Sequence, residues 1–389
     1  MEAKPLKILM ITPFFSPNIG GVETHLDDLC SFLGSKGYTV SVIAYQPLIS
    51  KRKVASLEVK EKVTIRRISW VGYGLFNRFE PFPLFEVIYL FPALFLRTLL
   101  FAFSNRKDVD VIIAHGLVAS LVGKFAKPFF RKPTLAVVHT IYFLETRPLV
   151  GRVFGWILRS YDKTLFVSNK IRKEFINFGV DYSKTNVFTY WADSSRFKPL
   201  VKKDVKKEVG WGDKFVVLFV GRLVKEKGVD VLVKAAQMTD KNITFAFITS
   251  GSYKDFKATV GGFVPSNVLY VGPVDYSKLH LYYNAADIFV LSSQNREGFS
   301  RAVLEAVLCG TPVIASHVGC LPEVVNCSIG KLADPPTAEN FKKIIEYYYM
   351  NRDKLAVLSK ACAEYGAKHF TEKNSLVIEH DLSLITRAL

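Results

Sequence analysis

At 389 residues the chain is too long for one ordinary core, and with 49% hydrophobic residues it has enough apolar material for two. Lys and Arg number 52 against 35 Asp and Glu, a net charge of +17 that attracts anions. The excess is dispersed, with small clusters at Lys51–Lys53 and Lys202–Lys207 and no basic run interleaved with aromatics, which ranks nucleic acid below a nucleotide or an acidic membrane surface as partner.

Met1–Ile11 carries Glu2 and Pro5 where a leader would be charged and then apolar, so no signal peptide is read and a cytoplasmic location is expected. The five cysteines form no Cys-x-x-Cys pair and read as free thiols, with Cys30 and Cys309 filling helix cores. Leu6–Ile11 is a short apolar run of the buried parallel-strand type. A loop with Pro13, Pro17, Gly20 and Gly21 follows, and then a helix from about Val22 that presents Leu26, Leu29, Phe32 and Leu33 on one face. Gly37 ends it and Tyr38–Ala44 is the next strand, which completes a βαβ unit.

Between Tyr73 and Phe103 eight phenylalanines stand among Leu and Ile, interrupted by Glu86, Pro92 and Arg97. Those interruptions argue against a membrane span. Two readings stand: a buried helix of the first domain, or a helix whose apolar face lies in a lipid interface, the second favoured by the basic charge. Further strands are predicted at Val109–Ala114, Leu135–Val138, Thr164–Val167 and Asn186–Thr189. The Lys-rich stretch Lys198–Asp213 is the linker candidate. A second series follows at Phe215–Val220, Ile243–Thr249, Val268–Val271, Ile288–Leu291 and Val313–Ala315, spaced by helices such as Val229–Gln237, Ser277–Asn284 and Ser300–Cys309. The fold class is therefore α/β, with two doubly wound Rossmann-like domains: residues 1–197, then 198–370, with a C-terminal helix in 371–389 expected to pack back on the first. Ligands of such sheets bind at the carboxyl ends of the strands, which places the expected active site in a cleft between the domains.

Three segments carry chemistry. The paired Gly20 and Gly21, ahead of Glu23 and His25, allow backbone amides to approach a phosphate or sugar at a helix start. Neither a Gly-x-Gly-x-x-Gly fingerprint nor a Walker loop occurs. In Gly221-Arg222-Leu223-Val224-Lys225-Glu226-Lys227-Gly228, Arg222 and Lys227 close a strand with two cations, a pattern suited to a diphosphate. In Glu297-Gly298-Phe299-Ser300-Arg301-Ala302-Val303-Leu304-Glu305, the amides of Gly298, Phe299 and Ser300 aim at an anion. Glu305 suits two ribose hydroxyls there, and Glu297 suits sugar hydroxyls.

With its spacing of Glu297 and Glu305, the stretches Asn284-Ala285-Ala286-Asp287 through Ser292-Ser293 and Cys309-Gly310-Thr311-Pro312, and the two glycine-bearing loops, the sequence resembles the GT-B-fold retaining glycosyltransferases of glycosyltransferase family 4 over nearly its whole length. The resemblance implies that Arg222 and Lys227 bind the donor diphosphate, that Glu305 binds ribose and that Glu297 contacts the donor sugar. It implies that His139 faces the reacting sugar, with His115 a second candidate, and places His25, Tyr190 and Trp191 toward the acceptor. Gly20, Gly21, Gly298, Phe299 and Ser300 complete the donor contacts. A nucleoside diphosphate sugar is the implied donor, and neither metal nor cofactor is expected. Asp108-Val109-Asp110 looks like the Asp-x-Asp motif of a different glycosyltransferase fold but sits at the amino end of a strand. Departures from the family pattern are Tyr190-Trp191-Ala192-Asp193 for Asn-Gly-Val-Asp, Cys320 after Gly319, and Ser250-Gly251-Ser252 for Gly-x-Gly. The expected reaction is retaining transfer of a sugar to an acceptor hydroxyl, with a lipid-linked or membrane-associated glycan as acceptor and residues 73–103 on an anionic membrane. The alternatives are a soluble acceptor, a nucleotide-sugar epimerase, a glycan phosphorylase, or a catalytically silent lipid- or partner-binding subunit.

Overall fold

The computed structural model describes residues 5–18, 20–48, 53–70, 75, 82–295 and 297–387. Lys51, Tyr73, Phe76, Phe79, Ile19 and Arg296 lie outside them. The chain divides into two compact units, Met1–Thr189 with Asn374–Leu389, and Tyr190–Lys373.

The first unit runs β1 (Lys7–Ile11), α1 (Gly21–Ser35), β2 (Thr39–Tyr45), β3 (Leu57–Lys60), β4 (Val63–Ile68), α2 (Pro83–Asn105), β5 (Val111–His115), α3 (Leu117–Phe130), β6 (Thr134–Val138), α4 (Pro148–Leu158), β7 (Lys163–Phe166), α5 (Asn169–Ile176) and β8 (Thr185–Val187). Its eight strands are ordered β3-β4-β2-β1-β5-β6-β7-β8. All pairs are parallel except the β3–β4 edge. Apart from the exposed Lys7 that starts β1, the central strands β1, β5 and β6 are buried along their length, which is why they read as largely apolar runs. The order reverses between β1 and β5, so ligand chemistry is expected where those two strands end. Asp108 and Asp110 sit at the opposite, amino end of β5, where they take hydrogen bonds from the Lys7 ammonium and backbone amide, respectively.

The second unit runs α6 (Lys202–Glu208), β9 (Phe215–Gly221), α7 (Val229–Met238), β10 (Ile243–Thr249), α8 (Tyr253–Thr259), β11 (Val268–Tyr270), α9 (Leu279–Ala285), β12 (Ile288–Leu291), α10 (Arg301–Leu308), β13 (Val313–Ser316), α11 (Leu321–Val324), β14 (Gly330–Ala333), α12 (Ala338–Met350) and α13 (Arg352–His369). Its six parallel strands are ordered β11-β10-β9-β12-β13-β14, with the reversal between β9 and β12. Phe215, Phe219, Phe245 and Phe247 build an aromatic core with Phe256, Phe341 and Tyr348.

Lys198–Asp213 is not a free linker. It holds α6, whose Lys206 is buried with its ammonium 2.7 Å from the Asp287 carboxylate, while Trp211 packs edge-on to Tyr282. Two of its five lysines, Lys202 and Lys206, act as structural cations against Asp287, while Lys198, Lys203 and Lys207 stay exposed. The last helix, α14 (Leu376–Thr386), belongs to the first unit, where Glu379 accepts from the Tyr38 hydroxyl at 3.2 Å.

Candidate functional site

The second unit gathers its chemistry where β9 and β12 end side by side. Lys227 follows β9 on a single 3-10 turn, and its ammonium lies 3.0 and 2.7 Å from the two Glu297 carboxylate oxygens. The Ser293 hydroxyl donates to the same carboxylate. The two loops are also stitched through the backbone: Gln294 N–H donates to the Glu226 carbonyl at 2.8 Å, and the Ser292 hydroxyl donates to the carbonyls of Lys227 and Gly228 at 3.0 and 2.9 Å. Gly228 has φ +65° and a Cβ there would fall 2.0 Å from the Ser292 carbonyl oxygen, so only glycine lets the loops meet. Arg222, one residue beyond β9, is exposed.

Glu297 is held from behind as well. Gly319 has φ +59° and a Cβ on it would lie 2.1 Å from the Glu297 carbonyl oxygen, which instead accepts from the Cys320 amide at 2.9 Å. The glycine is obligatory here, and the cysteine that departs from the family pattern is a buried residue contributing its backbone N–H.

Glu305 lies in α10 within a second network. The hydroxyls of Tyr276 and Tyr283 donate to its two oxygens at 3.0 Å each. Burial and the neighbouring Glu305 charge push the Tyr283 phenol well above its ordinary range. Arg301 reaches the Tyr276 oxygen at 3.0 Å and the Trp191 carbonyl at 2.9 Å, and its Nε is 3.7 Å from Glu305. Gly298, Phe299 and Ser300 lead into α10, and Ser300 makes no side-chain cap there. Tyr190 and Trp191 open this unit and are buried; Tyr190 meets Phe299 edge-on with centroids 5.6 Å apart. They thus enter the site through Phe299 and Arg301.

The first unit groups its histidines. His115 ends β5 and His139 follows β6, with Nδ1 of the former 3.0 Å from Nε2 of the latter and the rings stacked. His25 of α1 meets His139 edge-on at 5.7 Å, and Phe188 packs against both. Burial holds His115 well below the usual imidazole range and brings His139 down to about 3, so both are neutral near pH 7 and one donates to the other. Gly20 precedes α1 and Gly21 opens it.

Sequence reasoning missed Ser293, Tyr276, Tyr283 and Arg301 as partners of the two glutamates. Arg301, four residues before Glu305, was the legible one.

The chain matches the family described as Glycosyltransferase Family 4 over residues 19–196 and that described as Glycosyl transferases group 1 over residues 201–369. It is 25% identical to an uncharacterized glycosyltransferase of Methanocaldococcus jannaschii over 96% of this chain and 97% of that one. It is 26% identical to a D-inositol 3-phosphate glycosyltransferase of Catenulispora acidiphila, covering 84% of this chain and 82% of the relative. It is 24% identical to the phosphatidylinositol N-acetylglucosaminyltransferase GPI3 subunit of Saccharomyces cerevisiae, covering 82% and 69%. Among solved structures, sucrose-phosphate synthase of Thermosynechococcus elongatus superposes with a TM-score of 0.80 at 20% identity, covering 99% of this chain and 100% of that one. Anabaena HepE in complex with UDP and glucose superposes at 0.77 and 20% identity, covering 97% and 99%. The chain belongs to the GT-B-fold glycosyltransferases of the family 4, group 1 type.

Proposed function

We propose that this glycosyltransferase moves a sugar, with retained anomeric configuration, from a nucleoside diphosphate sugar to a hydroxyl of a lipid-linked or membrane-associated glycan. The observation that carries the donor half is the buried carboxylate of Glu297 on the Lys227 ammonium at the β9/β12 reversal. A diphosphate entering there takes Lys227 and Arg222, and Glu297, released from the lysine, turns to the sugar hydroxyls. Glu305, already fixed by two phenols, takes the ribose, and the amides of Gly298, Phe299 and Ser300 face the phosphates. These groups act where negative charge grows as the C1–O bond to the diphosphate breaks. The acceptor oxygen bonds to C1 from the same face, and its proton passes to a phosphate oxygen of the leaving group. His139, neutral and paired with His115, serves as a hydrogen-bonding group toward the sugar rather than as a charge.

The lipid acceptor is supported by the apolar helix α2 and by the phosphatidylinositol-directed relative. A soluble polyol phosphate is the second reading, favoured by the inositol 3-phosphate relative. Incubating the chain with labelled UDP-, GDP- and ADP-sugars, lipid extract and soluble polyols, and following label into organic-soluble product, tests it. Label confined to the aqueous phase as a new glycoside refutes the lipid acceptor. Free sugar, sugar phosphate or epimer as the only product refutes transfer.

A further inference from the structure

α2 is long and apolar enough to cross a membrane by length and composition, yet only 28% of its most apolar window is buried in the protein. Its inner stripe, Leu90, Leu94, Thr98 and Phe101, packs on the first unit. There the Tyr45 hydroxyl is inserted into the helix ladder, donating to the Leu90 carbonyl and accepting the Leu94 N–H at 3.0 Å. The outer stripe, Phe85, Ile88, Leu96, Leu100 and Phe103, recurs at the same helical period and is exposed. A surface helix of a water-soluble domain carries polar residues on that side.

The neighbouring helices continue the surface. Phe125 and Phe129 of α3 and Leu149, Val153 and Trp156 of α4 are exposed at i, i+4 and i, i+4, i+7 spacings. Phe125 joins all three helices: its ring meets Phe91 and Phe95 of α2 at 6.0 and 6.3 Å and Trp156 of α4 at 6.1 Å. Phe103 meets Phe129 at 6.5 Å. Ten of the twenty-five large apolar side chains exposed among the described residues therefore sit on one connected face.

The charges select the occupant. Within their spans the three helices hold one carboxylate, Glu86, against Arg97, Lys124 and Arg152, with Lys127 already ion-paired to Asp162 at 2.9 Å. Lys124 lies over the Trp156 ring at 3.8 Å, a cation held against an aromatic at the edge of the apolar surface. A protein partner would not need so uniform a sign; an anionic headgroup layer above acyl chains matches both features.

We propose that α2, α3 and α4 together form a bilayer-docking face that lies in the plane of an anionic membrane, with α2 immersed along its outer stripe and not crossing. The inference deepens the lipid-acceptor reading of the same protein, extending the membrane contact beyond residues 73–103 to α3 and α4. Tyr45 anchors the helix to the sheet and thereby keeps it interfacial.

The test is flotation of the full chain with phosphatidylcholine vesicles and with vesicles containing 30 mol% phosphatidylglycerol, with UDP-, GDP- and ADP-sugar binding measured in parallel. The intact protein is expected to float with the anionic vesicles, less so at high salt. The variant Ile88→Ser/Phe103→Ser/Leu149→Ser, at positions 69%, 74% and 73% exposed, is expected to lose at least about ten-fold in partitioning with an unchanged melting temperature. Met350→Ser/Val357→Ser, equally exposed at 77% and 72% but in the second unit, is expected to float as the parent does. Absence of flotation, flotation unaffected by the triple substitution, or a dimer in light scattering that the triple substitution dissolves would overturn the docking face. Flotation together with transfer to soluble acceptors alone would keep the face and remove the lipid acceptor. Transfer to a lipid-linked acceptor in detergent without flotation would do the reverse.

Discussion

Replacing Glu297 by Gln separates two roles of this side chain, ion-pair partner of Lys227 and proposed contact for the donor sugar. Lys227 and Glu297 are ion-paired at 2.7 Å with side chains only 20% and 7% exposed. A nucleoside diphosphate that takes the lysine therefore competes with this pair. Glutamine keeps the volume and the Ser293 contact but removes the charge, so the competing interaction is lost. A pair this sheltered is worth about 1–3 kcal/mol against a neutral hydrogen bond, which converts to about 5- to 150-fold tighter binding of the nucleoside diphosphate. Sugar transfer should fall, because the carboxylate proposed to take the sugar hydroxyls is gone. Lys227→Ala should act oppositely on binding, weakening nucleoside diphosphate about 10- to 150-fold through loss of a charge-assisted hydrogen bond. It should also destabilise the fold by about 3 kcal/mol by leaving Glu297 buried without its cation. Calorimetric titration of both variants with UDP, GDP and ADP reads these signs. Unchanged or weaker nucleotide binding by the glutamine variant would refute the placeholder role of Glu297.

Three further outcomes follow from the packing. Gly319→Ala puts a methyl 2.1 Å from the Glu297 carbonyl oxygen at a positive φ, so it should lower transfer while leaving the first unit's hydrogen exchange unchanged. His115 and His139 are neutral when folded and bind protons when unfolded below about pH 6.5, so stability is lost as pH falls through the unfolded pKa toward the depressed folded ones. Between pH 7.5 and 5.5 each should cost the protein about 1.4 kcal/mol in urea titrations, and a His115→Asn/His139→Gln variant should lose that slope. Tyr45→Phe removes the hydroxyl set between Leu90 and Leu94 and should lower stability by about 1–2 kcal/mol, read as a lower urea midpoint and faster exchange in α2.

The central strands were legible because each is buried on both faces and so reads as a continuous apolar run, as Ile243–Thr249 does. The β3–β4 edge was not, since Leu57–Lys60 is largely exposed and alternates with charge. β14 was missed because Gly330 and Lys331 break its short apolar signal. Lys198–Asp213, which holds the helix Lys202–Glu208, reads from sequence as a linker candidate because the ion pair that orders Lys206 comes from Asp287, 81 residues away. The site shows the same division. Glu297 and Glu305 stand in one local stretch and could be singled out, whereas Lys227 meets Glu297 across 70 residues and Tyr276 meets Glu305 across 29. Which phenols and which hydroxyl complete the network is set by the sheet order, not by neighbours in the chain.

The central claim is that the Lys227–Glu297 pair and Glu305 bind a sugar nucleotide for transfer. Label transfer from UDP-, GDP- and ADP-sugars to lipid extract, measured for the parent, Lys227→Ala and Glu305→Ala, tests it most directly. One nucleotide class should support transfer by the parent, with each substitution lowering it by at least about 10-fold, as expected for loss of a charge-assisted contact of about 1.5–3 kcal/mol. Undiminished transfer by either variant would contradict it.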